Sequence, residues 1–275
     1  MNFKSEVMSL VSGDVPYLKY NRLSEIDFIT HAFSTRLGGV SSGEFTSMNL
    51  SFGRGDSDEN VRENYRRIAD AIGVTFDSLT ASAQVHESIV RRVTKEDLGV
   101  GIYRPKDMPS VDALITNEKG VTLVTYYADC TPVFFVDTAK KALGLAHAGW
   151  RGTVLDIAGE VIRSMQREFS TNPEDVVCAI GPVIGKCCYE VDSDCAENFK
   201  RLFDSDSGVY QEGDREGKYM IDLALSNKLL LMKAGVREEN IVISDLCTKC
   251  NSDLLWSHRA TGGKRGTMSA FLALK

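Results

Sequence analysis

An α/β sandwich with mixed β-sheets, folded as a single domain over residues 1–275, is the architecture this sequence predicts. Short continuous apolar runs rich in β-branched and aromatic residues read as strands buried on both faces. Amphipathic stretches with helical spacing alternate with those runs, as in α/β proteins. No low-complexity tract, repeat or Pro/Gly/Ser linker breaks the chain into separate domains.

The first legible helix carries Val61, Tyr65, Ile68, Ala69 and Ile72 at helical spacing. Ser57 and Asp58 offer N-caps, and Gly73 follows as a stop. Residues 121–127 form the first strong β-like run, and residues 133–136 the next. Residues 142–146 are a short apolar run that ends at His147. Val154, Ile157, Ala158, Val161, Ile162 and Met165 mark a second amphipathic helix, starting near Thr153. Residues 176–180 read as another buried strand. A shorter helix starts near Asp192 and carries Cys195, Phe199 and Leu202. A last one runs from about Asp222 to Ala234 and stops at Gly235. The order of the strands does not follow from these patterns.

Composition narrows the function. A formal net charge of -6 argues against wrapping nucleic acid, which needs an excess of Lys and Arg to neutralise phosphates. It leaves room for one small anion held by a few local arginines. No apolar segment reaches the roughly 20 residues that span a membrane, and the stretch at 121–136 is interrupted by Asp129 and Cys130. The start, Met1-Asn2-Phe3-Lys4-Ser5-Glu6, lacks a basic stretch followed by an apolar run, so no secretory signal is expected. Seven cysteines, an odd count, then read as reduced thiols of a cytoplasmic protein, most of them core packing.

The chain has only four histidines: His31, His86, His147 and His258. His86 closes Ser82-Ala83-Gln84-Val85-His86, just before an expected strand. Cys130 lies in a polar break between two apolar strands, and His147 where a strand passes into a helix. Loops at the ends of buried strands are where α/β enzymes carry reactive groups. Two imidazoles and a thiolate make a three-ligand set that leaves a fourth tetrahedral position open, the arrangement of a catalytic zinc. A zinc so held lowers the pKa of its water from about 15.7 to about 7. The same residues also suit a metal-free cysteine nucleophile with a histidine base.

Four further segments remain open. Gly149-Trp150-Arg151-Gly152 precedes the expected helix near Thr153 and is either an anion-binding helix start or a plain turn. Ser34–Gly39 and Ser257–Gly266 combine glycines with arginines able to fork onto phosphate, but match neither a P-loop nor a dinucleotide fingerprint. Cys247-Thr248-Lys249-Cys250 is a CxxC with no second pair beside it in sequence, hence an incomplete zinc site.

Taken together these segments resemble one family: the bacterial purine nucleoside phosphorylases formerly labelled multicopper polyphenol oxidases or laccase-domain proteins. The matching stretches are His31–Ser41, Met48-Asn49-Leu50-Ser51, Gln84-Val85-His86, Asp112–Thr116, Ala128-Asp129-Cys130-Thr131-Pro132, His147–Gly152, Gly181-Pro182 and Ser257-His258-Arg259. The resemblance implies zinc bound by His86, Cys130 and His147, which would also be the catalytic centre. It implies adenosine, inosine, guanosine or methylthioadenosine as substrates with phosphate, contacted by Arg36 and Arg259, and Asn49 near the sugar or phosphate. It further implies a fold like that of Cys/His toxin deamidases; separately, a monomer or small homo-oligomer is expected. The chain departs from the family where Ala260-Thr261 replaces a second Arg and an Asp.

Four histidines cannot supply both a blue copper and the histidine-rich cluster of a laccase, so copper is expected there only adventitiously. The expected reaction is phosphorolysis of the N-glycosidic bond, through a transition state of oxocarbenium character, with adenosine deamination as a side activity. Two rivals stand beside it: a Cys130/His147 hydrolase or deamidase without metal, and a nucleoside-binding module without catalysis.

Overall fold

The strand Thr131–Asp137 is buried along its whole length, and its two faces serve different layers. Phe134 and Val136 pack with Leu143, Leu145, Phe33, Leu123 and Met268. Val133 and Phe135 turn the other way, against Ile157, Val161, Met165, Leu230 and Leu231. Because side chains alternate along a strand, a run that is apolar at every position must be covered on both sides. Each such burial stabilises the fold by about 1.5–3 kcal/mol.

The computed structural model describes residues 3–107 and 109–275. Met1 and Asn2, which entered the reading of the N-terminus, lie outside the described residues. One six-stranded sheet runs in the order Ile241–Ile243, Val176–Ile180, Thr131–Asp137, Ala142–Ala148, Ala113–Thr116, Val90–Arg92. Its outermost pairs are parallel and its inner pairs antiparallel. A second runs Met8–Val11, Tyr17–Tyr20, Ile29–Ser34, Met268–Leu274, Thr122–Tyr127, Leu79–Ala81, with only its last pair parallel. A small antiparallel sheet joins Glu190–Asp192, Lys218–Ile221 and Tyr210–Glu212. The expected mixed α/β architecture is present. The second sheet's outer face, through Ala32, Val124 and Phe271, is covered by Val61, Tyr65 and Ile68 of the helix Asp58–Ile72. The first sheet's outer face is covered by the helices Ile157–Phe169 and Leu223–Lys233. The order is therefore helix, sheet, sheet, helix.

Local chemistry sets the helix ends. The Ser57 hydroxyl accepts from the Asn60 amide at 3.1 Å, and Gly73 closes that helix at φ +76°. The Asp222 carboxylate accepts from the Leu225 amide at 2.8 Å and caps the last long helix. Three expectations are corrected. The helix expected from Thr153 is two helices, Trp150–Val154 and Ile157–Phe169. Asp156 breaks them at φ +57° and caps the second through the Gly159 amide. The short helix Ser193–Lys200 ends before Leu202, which is exposed. The strand expected at 142–146 extends to Ala148 and so contains His147. Among the described residues no helix is long and apolar enough to cross a membrane.

Candidate metal centre

Register brings the three residues together. Ala113 pairs with Ala146, and Thr131 pairs with Ala148. Both neighbours run antiparallel to the strand Ala142–Ala148. The residues that enter them, Asp112 and Cys130, therefore lie beside the exit of that strand, where His147 stands. Val90 pairs in parallel with Ala113, so the loop before Val90 arrives at the same end and delivers His86. The ligating atoms of His86, Cys130 and His147 all lie within 4.8 Å of one another. Cys130 Sγ is 3.8 Å from His86 Nε2, and the two imidazole rings meet edge to face at 4.8 Å between centroids. This donor set could hold a metal ion, with two neutral nitrogens and one thiolate at a single point.

Asp112, which the sequence reading did not single out, builds the support. Its carboxylate is fully buried and lies 2.8 Å from His147 Nδ1. With the ring proton donated there, Nε2 is left free as a ligand. The same carboxylate accepts the amides of Val85, His86 and Glu87 at 3.0–3.1 Å. Those bonds hold His86 in the left-handed region at φ +69°, which costs a non-glycine residue about 1 kcal/mol or more. Burial opposes the charge on Asp112, but its hydrogen bonds from His147 and the loop amides hold the carboxyl below the usual range. A signal existed in the sequence, a lone acidic residue entering an apolar strand, but many such residues merely cap a turn.

Gly149-Trp150-Arg151-Gly152 has a different use from the anion site considered above. Gly149 caps a helix of only five residues. A Cβ on Gly149 would stand 2.6 Å from His86 Cδ2 and 3.4 Å from Cys130 Sγ. The glycine is there so that the chain leaving His147 can pass against the other two residues.

The metal-free pair is already polarised. Burial would push the Cys130 thiol up, but the His147 charge and hydrogen bonds from both imidazoles outweigh it and bring it to about 6. Burial would push His147 down, but the Cys130 thiolate and Asp112 outweigh that and raise it to about 9. Between those values the pair is thiolate beside imidazolium. A metal must then displace one proton from this pair between pH 6 and 9, two below pH 6, and none above pH 9. From the pair alone, apparent metal affinity should climb about tenfold per pH unit between 6 and 9 and level off above 9. Calorimetric titration of zinc in buffers of different ionisation enthalpy measures that proton count.

A cavity of about 720 Å³ opens over the three residues. Arg54, Arg62, Arg104, Lys106 and Arg265 line it, with Phe52, Tyr103 and Tyr126 as its aromatic wall. The Arg265 side chain is largely buried; its Nη1 donates to Gly266 O and Thr267 Oγ1, while its Nε has no partner among the described residues. Burial and then the charge of Arg54 push its guanidinium down to about 10. Two like charges held together at a wall favour an anion between them.

The arginines read from the sequence stand elsewhere. Arg36 stacks on Trp256 at 3.8 Å and donates to Ser252 O and Thr46 O. Asn49 is fully buried, and its side-chain oxygen accepts from the amides of Ser51 and Thr267, two residues of the cavity wall. Arg259 gives its backbone amide to Asp129 at 2.7 Å and its guanidinium to Glu190 O. None of the three is among the described residues that line the cavity. His31 is buried and accepts the Tyr20 amide at 3.0 Å through Nε2. His258 opens the short helix His258–Thr261.

The family model described as "Multi-copper polyphenol oxidoreductase laccase" matches residues 30–275. A curated relative, "Purine nucleoside phosphorylase YlmD" of Geobacillus stearothermophilus, is 38% identical over 240 residues, covering 87% of this chain and 88% of that protein. The crystal structure of YlmD from that organism superposes with a TM-score of 0.91 at 34% identity, over 98% of this chain and 99% of that one. The crystal structure of the hypothetical protein YfiH from Bacillus licheniformis also gives 0.91, at 32% identity, over 98% and 100%.

Proposed function

The chain belongs to the multi-copper polyphenol oxidoreductase laccase family, and from that membership and its site we propose that it is a cytoplasmic, zinc-dependent purine nucleoside phosphorylase acting as one domain over residues 1–275. It would convert adenosine, inosine, guanosine or methylthioadenosine to the free base and ribose 1-phosphate or its methylthio form. The observation that carries the reading is one cavity that joins a His86/Cys130/His147 donor set to the guanidiniums of Arg54 and Arg265. The related protein named a purine nucleoside phosphorylase supports it.

In this reading Arg54 and Arg265 replace Arg36 and Arg259 as the phosphate contacts. They orient phosphate toward the anomeric carbon, which is positioning and charge stabilisation. Asn49 holds the backbone behind the wall, while Arg36 and Arg259 bond backbone outside it. Tyr126 and Phe52 line the space the purine would occupy. Gln84 shapes that wall, since its side chain is committed to the amide and carbonyl of Tyr126 and to Ser82. Lys106, its ammonium pushed down by burial, sits over the Tyr126 ring and is our candidate for protonating the departing base. His86, Cys130 and His147 would hold a zinc ion that would supply Lewis-acid polarisation, and adenosine deamination is the side reaction such a centre would allow.

Chromatography of inosine incubated with phosphate and zinc-replete protein should show hypoxanthine and ribose 1-phosphate; neither product appearing sinks the reading. Arg265→Met should raise the KM for phosphate roughly 10- to 150-fold, the worth of one charge-assisted hydrogen bond of about 1.5–3 kcal/mol. An unchanged KM for phosphate would move the anion site away from Arg265.

One observation favours a second reading. The Cys130–His147 pair of thiolate and imidazolium is the arrangement of a cysteine hydrolase or deamidase. Metal analysis of the Cys130 centre separates the two, since that reading requires active protein with no zinc at His86, Cys130 and His147.

A further inference from the structure

Cys247-Thr248-Lys249-Cys250, left incomplete by its spacing, is completed in space by Cys187 and Cys188. The Sγ atoms of Cys187 and Cys188 are 3.7 Å apart, those of Cys187 and Cys250 3.8 Å, and those of Cys188 and Cys250 3.5 Å. All four sulfurs lie within 4.8 Å of one another. A regular tetrahedron of sulfurs around zinc, with Zn–S about 2.3 Å, has an edge of about 3.8 Å. The separations fit that figure.

Core packing does not account for the cluster. Cysteines packed for burial lose their sulfurs from solvent, as Cys178 does. Here Cys187 and Cys250 are exposed, and Cys188 and Cys247 only half-buried. At Cys247 the surrounding backbone favours thiolate over thiol. The Gly185 amide donates to Cys247 Sγ at 3.2 Å, and the Cys250 amide bonds the same sulfur. A Cβ on Gly185 would stand 3.2 Å from both Cys187 Sγ and Cys247 Cβ. A glycine there lets the two loops close around the sulfurs.

We propose that Cys187, Cys188, Cys247 and Cys250 hold a second zinc ion as four thiolates, a closed structural site separate from the centre at Cys130. Four protein ligands leave no open position, so its role is to fasten the loop after Val176–Ile180 to the loop after Ile241–Ile243. What it fastens matters for the cavity. Val183 bridges Cys247, and the Thr248 amide bonds Val183 O at 3.0 Å. The Thr248 hydroxyl donates to Asp129 at 2.6 Å, directly before Cys130, and Asp129 in turn holds the Arg259 amide. The zinc would thus steady the turn that presents Cys130.

The test is metal counting on the full chain, purified anaerobically with zinc present, by elemental analysis and native mass spectrometry. Wild type should carry two zinc ions, His86→Ala/His147→Ala one, and Cys187→Ser/Cys250→Ser one. If the cysteine variant fails to fold, cobalt-loaded His86→Ala/His147→Ala protein decides: intense thiolate-to-cobalt charge-transfer absorption, abolished by stoichiometric zinc, supports the site. A folded His86→Ala/His147→Ala protein that holds no zinc overturns it. So does a disulfide among the four cysteines, found by alkylation of unfolded, unreduced protein. Because the count is independent of turnover, it stands apart from the phosphorylase reading.

Discussion

His86→Ala should lower phosphorolysis of inosine by about a thousandfold or more while leaving the fold intact. The residue is part of a three-donor set whose removal leaves two ligands, and a Lewis-acid centre contributes several kcal/mol of transition-state stabilisation. Each 1.36 kcal/mol is a factor of ten in rate. Cys130→Ser and His147→Ala should fall as far, each losing zinc in proportion. The His86 variant is the informative one. A metal-free hydrolase would still have its Cys130 nucleophile beside His147 and would keep most of its activity. His86→Ala protein that turns over within tenfold of wild type after losing the zinc held at Cys130 and His147 rejects the metal mechanism. Circular dichroism and zinc content, measured on the same preparations, show whether activity and metal are lost together without unfolding.

Asp112→Asn should weaken zinc binding 10- to 100-fold, the range for removing a carboxylate behind a metal-ligating histidine, and should also destabilise the apoprotein. Each carboxylate oxygen of Asp112 faces two donors: Oδ1 the His86 amide and His147 Nδ1, Oδ2 the Val85 and Glu87 amides. An asparagine must turn its NH₂ toward one of those pairs, losing two charge-assisted bonds worth about 1.5–3 kcal/mol each. Thermal denaturation of metal-free protein should report a loss of about 3–6 kcal/mol. The sign with pH follows from the lowered carboxyl. The contribution is full above the unfolded carboxyl range near 4 and fades as pH falls through the folded value. Chelator competition measures the metal effect; Asp112→Asn with wild-type zinc affinity would remove Asp112 from the site's support.

The difference between the two variants shows where sequence reading stops. His86, Cys130 and His147 could be singled out because each stands at the end of an apolar run and falls in a stretch that carries the family resemblance, whereas His31 and Cys178 show the same residue types in structural use. Asp112 has the same chemistry as the many acidic residues that cap turns, and only its four donors reveal its work. The same holds for arginine. The glycine-rich segment from Ser257 to Gly266 was recognisable, but which of its arginines faces the cavity depended on a backbone path. Arg259 turns to Glu190 O, and Arg265 turns inward beside Arg54.

What the amino-acid order determines by itself is local. Val133, Phe134, Phe135 and Val136 demand cover on both faces, Ser57 and Asp222 start helices, and Gly73 ends one, because neighbouring residues alone settle burial period and capping. Tertiary structure decided the rest. Antiparallel register set Cys130 and Asp112 against His147, and the approach of two distant loops set Cys187 and Cys188 against Cys247 and Cys250. Contacts between residues far apart in the chain depend on which strands pair and in what register, and neither is written in the spacing of any one segment.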